Sequence, residues 1–309
     1  MFERSITMSL CIRRCLIFLL IMTVYPVVSR GQGSDSSEGA KAEQERPERI
    51  ALWERSAPIG DEERLPVESE NANITMHQPV KANGTAVVIC PGGGYGGLVV
   101  GPEGHGIASW LNGFGITGVV LEYRLPKHRH AVPLLDAQRA IRLVRNRADS
   151  LGLDPQRIGI MGFSAGGHLA STAATHFDAG DPSSLDPVER VSCRPDFGVL
   201  VYPVVTMGES THGGSKSNLL GPDPTADLIE LYSNEKQVSA ETPPIFMAHA
   251  LDDRPVPIEN SRLLDRALRQ HGVPSVLLEL ESGGHGLNGY KGPMWDRWQK
   301  DSVQWILSL

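Results

Sequence analysis

The segment Gly162-Phe163-Ser164-Ala165-Gly166-Gly167-His168 is the part of the chain best suited to covalent chemistry. Its GxSxG spacing sets one serine between two glycines, after a short apolar run at 158–162 and before a helical pattern at 165–176. In that context a serine sits on a strained strand-to-helix turn with its hydroxyl held clear of the backbone. Ser164 is therefore the candidate nucleophile, and Gly162 and Gly166 are expected for steric reasons, since strand and helix must approach closely.

A serine attacks a carbonyl only when a base takes its proton and a third group orients that base. When the nucleophile stands on such a turn, acid and base are expected downstream, in that order, at strand ends. His285 lies in the loop Ser282-Gly283-Gly284-His285-Gly286 after an apolar run and is the candidate base. Asp252 and Asp253 follow the apolar run 245–249, and either reaches a suitable position by spacing alone. Asp253 is favoured because it begins the turn Asp253-Arg254-Pro255-Val256-Pro257, which leaves Asp252 as a solvated neighbour.

Acyl transfer also needs amide donors aimed at the developing oxyanion. The loop Pro91-Gly92-Gly93-Gly94-Tyr95 follows the apolar run 86–90, where such donors belong. Gly93 and Gly94, with the amide of Ala165, are the candidates for the oxyanion hole, and Tyr95 for substrate binding. A phosphate-cradling loop is the competing reading, but no Lys-Ser or Lys-Thr follows, and Gly96 and Gly97 do not complete a dinucleotide fingerprint.

The remaining histidines and tryptophans have plainer readings. His128 and His130 sit in a basic Lys-His-Arg-His loop with no nearby Asp, Glu or Cys at metal-ligand spacing. His168 is expected to pack or hydrogen-bond beneath the serine turn. Trp295 and Trp298 share one helix face and read as core. Neither a metal nor an organic cofactor is implied.

These groups must be positioned by regular elements. Short β-branched runs at 86–90, 117–123, 158–162, 197–202, 245–249 and 276–280 are nearly continuous in apolar character, which argues for strands buried on both faces. Helical patterns at 132–150, 165–176, 258–271 and 294–307 lie among and after them. In the first, Leu134, Ala137, Ile141, Val144 and Ala148 recur at three- and four-residue steps, and Gly152 follows its end. Such alternation predicts an α/β fold, a mostly parallel central sheet covered by helices, because parallel strands need crossovers. The exception is 206–242, long and rich in Gly, Ser and Pro with one weak helix at 226–232, which reads as a binding insertion.

The termini and composition bound the rest. Arg4, Arg13 and Arg14 precede an apolar run at 15–28, too short for a comfortable span of roughly 20 residues. Residues 1–30 are expected to be a signal peptide, 31–49 a flexible lead-in, and 50–309 one catalytic domain. This predicts a secreted or periplasmic protein, an uncleaved anchor being the alternative. With 29 Lys plus Arg against 36 Asp plus Glu, a net charge of −7, the chain is a poor nucleic-acid binder. Cys11 and Cys15 fall in the signal segment, so only Cys90 and Cys193 would remain, and no disulfide framework exists. Cys90 ends an apolar run and reads as a small core residue.

Together these residues resemble the acetylxylan-esterase-like and feruloyl-esterase-like branch of the α/β-hydrolase superfamily, from about Leu52 to the carboxyl end. The resemblance rests on Leu52-Trp53, Ala57-Pro58, the PGGGY loop with Glu103-Gly104 after it, Tyr123-Arg124, Asp136, Arg139-Ala140, GFSAGGH, Tyr202-Pro203, DRPVP and the glycines around His285. It implies the α/β-hydrolase fold and a Ser164, Asp253, His285 triad, because the acid in such proteins begins a D-x-x-V-P turn. One departure is Pro91, where many relatives carry His before the glycine loop. The motifs are far less specific for substrate.

The implied activity is hydrolysis of acetyl or similar short acyl esters on plant or algal polysaccharides. Relatives are sometimes labelled xylanases, but that chemistry needs two carboxylates flanking a glycosidic bond. A prolyl-oligopeptidase-type peptidase would share the core, yet such enzymes carry a large extra domain for which 309 residues leave no room. The other alternative is a non-catalytic carbohydrate-binding homologue.

Overall fold

The computed structural model describes residues 47–60, 63–66 and 71–309. The expected signal peptide, and the lead-in as far as residue 46, lie outside the described residues.

All six strands expected from the apolar runs form. They are β5 (Ala86–Cys90), β6 (Thr117–Glu122), β7 (Ile158–Phe163), β8 (Gly198–Val201), β9 (Ile245–Ala250) and β10 (Ser275–Leu280). Four short strands precede them: β1 (Glu48–Ala51), β2 (Ser56–Gly60), β3 (Glu63–Pro66) and β4 (Asn73–His77). The eight-stranded sheet runs β1-β4-β6-β5-β7-β8-β9-β10, and β2 pairs with β3 alone. Strands β6 to β10 and β5 are mutually parallel, while β4 and β1 continue the sheet antiparallel. The first strand begins at Glu48, two residues inside the expected lead-in, because Glu48 and Arg49 pair with Met76 and Thr75.

Burial follows sheet position. Strands β5, β7, β8 and β9 are buried at every residue, whereas the edge strand β10 is largely part-exposed. One face carries helices Ala131–Asn146, Ala165–Thr175 and Glu259–Gln270, packed through Ile141, Val144, Leu169, Leu264 and Leu268. The other carries Gly106–Asn112 and Pro293–Ser308, packed through Ile107, Leu111, Trp298 and Ile306. Trp295 and Trp298 pack against Phe163, as their shared helix face predicts. The expected helix at 132–150 divides at Arg147, and Gly152 closes its second piece with φ 64°. Cys90 and Cys193 are both buried free thiols.

Several motif residues prove to be scaffold. Arg124 donates to both oxygens of Asp136, with its Nη2 at 2.7 Å, and the Trp53 indole N–H donates to Asp136 at 2.8 Å. Arg139 lies over the Trp53 ring and donates to the Leu52 carbonyl at 3.1 Å. This buried knot fastens the amino-terminal segment to helix Ala131–Asn146. Arg124→Met leaves a buried carboxylate without its counter-ion, so unfolding free energy is expected to fall by about 3–5 kcal/mol. Denaturant unfolding with an unchanged slope and a lower midpoint checks it.

Candidate active site

The chain leaves β5 for β6 on one side and returns to β7 on the other. Such a reversal opens a crevice beyond the carboxyl ends of the strands, where open parallel sheets bind ligands. The PGGGY loop leaves β5 and the serine turn leaves β7, so topology brings both to one crevice.

Ser164 holds φ 52° and ψ −119°, a costly conformation for a residue with a side chain. Its N–H donates to the Val201 carbonyl at 3.1 Å, and its own carbonyl accepts from Val204 and His168 at 3.0 and 3.1 Å. These bonds hold the strained turn. A Cβ on Gly162 would lie 2.1 Å from the Gly166 oxygen, and one on Gly166 2.1 Å from the Cys90 oxygen. Both glycines are therefore steric necessities.

The structure brings the three expected side chains together. The Ser164 hydroxyl donates to His285 Nε2 at 2.8 Å, and His285 Nδ1–H donates to Asp253 Oδ2 at 2.7 Å. Asp253 is buried, and its other oxygen accepts the Val256 N–H at 3.0 Å. That bond explains the D-x-x-V spacing: the aspartate caps the turn it begins. Burial alone would raise its pKa, but hydrogen bonds from His249, His285 and Val256, with the charge of His285, hold it down at about 2. Asp253 is thus a carboxylate throughout the neutral range. Its contribution to stability is present above the ordinary carboxylate pKa and is lost as pH falls towards 2.

Asp252 is not simply a solvated neighbour. It is exposed, but its carboxylate accepts the N–H groups of Gly284 at 2.8 Å and Gly283 at 3.3 Å. It steadies the turn that presents His285, a role that spacing could not reveal because its partners lie on another strand connection.

The glycine loop curls through consecutive left-handed residues, Gly93 at φ 131°, Gly94 at 63° and Tyr95 at 60°. The Gly93 carbonyl accepts from Gly96 and Gly97 at 3.1 and 3.2 Å, closing the loop on itself. A Cβ on Gly92 would lie 3.1 Å from Ser164 Cβ, so the loop abuts the serine. Among the described residues, the N–H groups of Gly93, Gly94 and Ala165 meet no acceptor. Ala165 opens a helix, whose first amides are unpaired and carry partial positive charge.

Tyr95 does not face the crevice. Its side chain is only 3 % exposed, and its hydroxyl donates to His168 Nδ1 at 2.8 Å. His168 Nε2–H in turn donates to the Tyr232 carbonyl at 2.8 Å, and burial lowers its pKa to about 4, so it stays neutral. The substrate-binding assignment of Tyr95 is corrected: left-handed backbone at residue 95 turns the ring inward, where it props the loop. His168 lies beneath the serine turn, as expected. His130 bonds the Tyr232 hydroxyl at 2.9 Å, and the His128 N–H donates to the Asn218 carbonyl at 3.3 Å.

The insertion at 206–242 reaches the glycine loop. It contains helix Gly213–Leu220, which the sequence did not suggest, besides the expected turn of helix at Ala226–Leu231. Asn218 donates to the Gly94 carbonyl at 2.9 Å. The ring of His212 would be 3.9 Å from a Cβ on Gly94. Ser215 N–H donates to His212 Nδ1 at 3.2 Å, which leaves the ring proton on Nε2. Burial, and then the charge of His285, lower the His212 pKa, outweighing the opposing pull of Asp253. Other residues near the site are His249 and Tyr290, which sequence reasoning missed, and Glu103, which it named only as part of the family resemblance and gave no role. Neither His249 nor Tyr290 carries a spacing signal.

A mostly parallel eight-stranded sheet with a Ser-His-Asp constellation on the loops after β7, β9 and β10 defines the class, an α/β hydrolase with a site of the esterase type. Residues 73–268 match the BD-FAE family, and the chain belongs to it. It is 36 % identical over 244 residues to an acetylxylan esterase of Xylanibacter ruminicola, covering 77 % of this chain and 48 % of that one. It is 36 % identical over 219 residues to endo-1,4-beta-xylanase B of Butyrivibrio fibrisolvens, covering 69 % of this chain and 34 % of that one. The chain thus spans half or less of the length of these relatives. A solved structure, the acetyl ester-xyloside bifunctional hydrolase of Caldicellulosiruptor lactoaceticus, superposes with a TM-score of 0.80 at 42 % identity. That match covers 86 % of this chain and 98 % of the other.

Proposed function

We propose that this protein is a secreted serine esterase that removes acetyl or similarly short acyl groups from plant or algal polysaccharides such as xylan. The single observation that carries the reading is the unbroken relay Asp253, His285, Ser164, with links of 2.7 and 2.8 Å. Ser164 attacks the ester carbonyl as His285 takes its proton, and Asp253 keeps the imidazole in the tautomer whose Nε2 accepts. The negative oxygen of the tetrahedral intermediate lies against the free amides of Gly93, Gly94 and Ala165. His285 then protonates the leaving sugar oxygen, and water, activated by the same histidine, releases the acid. Hydrolysis of p-nitrophenyl acetate, abolished by a serine-directed covalent inhibitor, is the direct test.

Support for a carbohydrate ester comes from the rim. The insertion brings His212 and Asn218 against the glycine loop, polar groups suited to sugar hydroxyls and poor walls for an acyl tail. Each methylene buried in an apolar pocket would gain about 0.8 kcal/mol, roughly fourfold in kcat/KM, and a polar rim forgoes that gain. Across p-nitrophenyl esters from acetyl to octanoyl, kcat/KM is expected to peak at acetyl and to have fallen at least tenfold by hexanoyl. A maximum at hexanoyl or octanoyl would replace this reading with a lipase-like one. Mass spectrometry of acetate released from acetylated xylan identifies the alcohol side.

A further inference from the structure

Glu103 is a buried carboxylate beside the crevice that the proposed chemistry does not use. It is 3 % exposed and sits in the π-helical turn Gly101–His105 that leads into helix Gly106–Asn112. Its Oε2 accepts the Gly92 N–H at 2.7 Å. Its Oε1 accepts the Tyr202 hydroxyl at 3.0 Å and the Tyr290 hydroxyl at 3.1 Å. These donors belong to three separate loops: the glycine loop after β5, the end of β8, and the segment following His285. A further bond, Val99 N–H to the Gly92 carbonyl at 2.9 Å, ties the chain leading to Glu103 to the same loop.

One amide and two hydroxyls converging as donors on two oxygens suit a carboxylate; a glutamine there could pair with all three only by turning both tyrosine hydroxyls round to accept from its NH₂. Among the described residues, no cation bonds this charge. What lies near instead is the reacting apparatus. Gly92 abuts Ser164, and the Tyr202 ring meets the His285 ring edge-on with centroids 4.9 Å apart.

Resting on the esterase reading, we infer that Glu103 is a positioning residue that locks the oxyanion loop to the histidine loop and supplies a second negative charge felt by His285. By holding the Gly92 N–H, it fixes the loop whose next amides, of Gly93 and Gly94, meet no acceptor among the described residues. By holding Tyr290, it fixes a segment in which Leu287, Asn288 and Tyr290 all carry positive φ and which would otherwise relax. Its charge acts when His285 becomes an imidazolium, together with that of Asp253. The groups facing His285 are Asp253, Ser164, Tyr202, His212 and Glu103; those facing Glu103 are Tyr123, Tyr202, Tyr290 and His285. Burial raises the Glu103 pKa, against the pull of its hydrogen bonds and of His285.

Glu103→Gln and Tyr290→Phe, assayed on p-nitrophenyl acetate from pH 5 to 9, test this. Glu103→Gln is expected to lower kcat about 10- to 100-fold with KM within threefold of wild type. It also removes a negative charge near the base, so the acid limb of the kcat/KM profile should move to lower pH by about half a unit or more. Tyr290→Phe keeps the charge, and should lower kcat at least threefold without moving that limb. A folded Glu103→Gln enzyme with kcat within threefold of wild type, or with an unmoved acid limb, overturns the inference. If Glu103→Gln does not fold, an unchanged kcat in Tyr290→Phe overturns it instead. Ser164→Ala in the same assay separates the two readings: a loss there of less than about a hundredfold sinks the esterase mechanism itself, whereas failure confined to the Glu103 and Tyr290 variants sinks only the positioning role.

Discussion

Ser164→Ala and His285→Ala are each expected to lower turnover on p-nitrophenyl acetate by ~10⁴-fold or more, and the double variant to be little worse than either. The reason is that the two side chains act as one unit: without the imidazole 2.8 Å away the hydroxyl is a poor nucleophile, and without the hydroxyl there is nothing to activate. What survives in all three is catalysis by the free amides of Gly93, Gly94 and Ala165 and by binding, which none of these changes touches. Losses that multiplied in the double variant would mean that the residues act independently. Folding should be barely altered, since Ser164 keeps its turn through backbone bonds to Val201 and Val204. Near-ultraviolet circular dichroism of each variant checks that.

The neighbouring aspartates should separate sharply. Asp253→Asn is expected to cost on the order of 10⁴ in turnover, because an asparagine can turn its NH₂ towards His285 Nδ1 and drive the ring proton to Nε2. The imidazole then cannot accept from Ser164. Asp252→Asn keeps a carbonyl that still accepts the Gly284 N–H, so its loss should stay within about tenfold. The contacts of Asp252 with the histidine turn make the choice of substitution matter. Asp252→Ala, which removes the acceptor, should be worse than Asp252→Asn, through misplacement of His285. A ranking with Asp252→Asn below Asp253→Asn in activity would transfer the acid role to residue 252. Steady-state kinetics at a fixed pH near 8, where Asp253 is fully ionised, is the measurement.

Sequence alone carried what local chemistry dictates. Strands buried on both faces are apolar throughout, so β5 to β9 were legible, and β10 showed by its apolar run although at the sheet edge it is largely part-exposed; the ends lie within two residues of those observed. The serine turn was legible because its two glycines answer a steric demand that few other settings make. The D-x-x-V-P turn was legible because Asp253 bonds the N–H three residues on, a contact written entirely within the motif. Strands β1 to β4 were not: β1, Glu-Arg-Ile-Ala, is short and part-exposed and pairs only with β4, β2 and β3 pair only with each other, and β4, though buried at Ile74, Thr75 and Met76, is a five-residue run between polar ends. Helix Gly213–Leu220 opens with two glycines and has almost no amphipathic pattern, so its docking on the glycine loop through Asn218 defines it.

The side-chain partners across loops belong wholly to the tertiary structure. Tyr95 stands in a motif that invites a substrate contact, yet left-handed backbone sends its ring down to His168. Asp252 looked idle because Gly283 and Gly284 are more than thirty residues away in sequence. Glu103 was marked in the sequence only as part of the family resemblance, and acquires its place when the ends of β5 and β8 and the segment after His285 converge on one carboxylate. Residue types and local spacing determine which groups can react, because nucleophile turns and caps are short-range geometry. Which groups hold them in register is decided by the sheet, because parallel crossovers bring together loops that the chain keeps far apart.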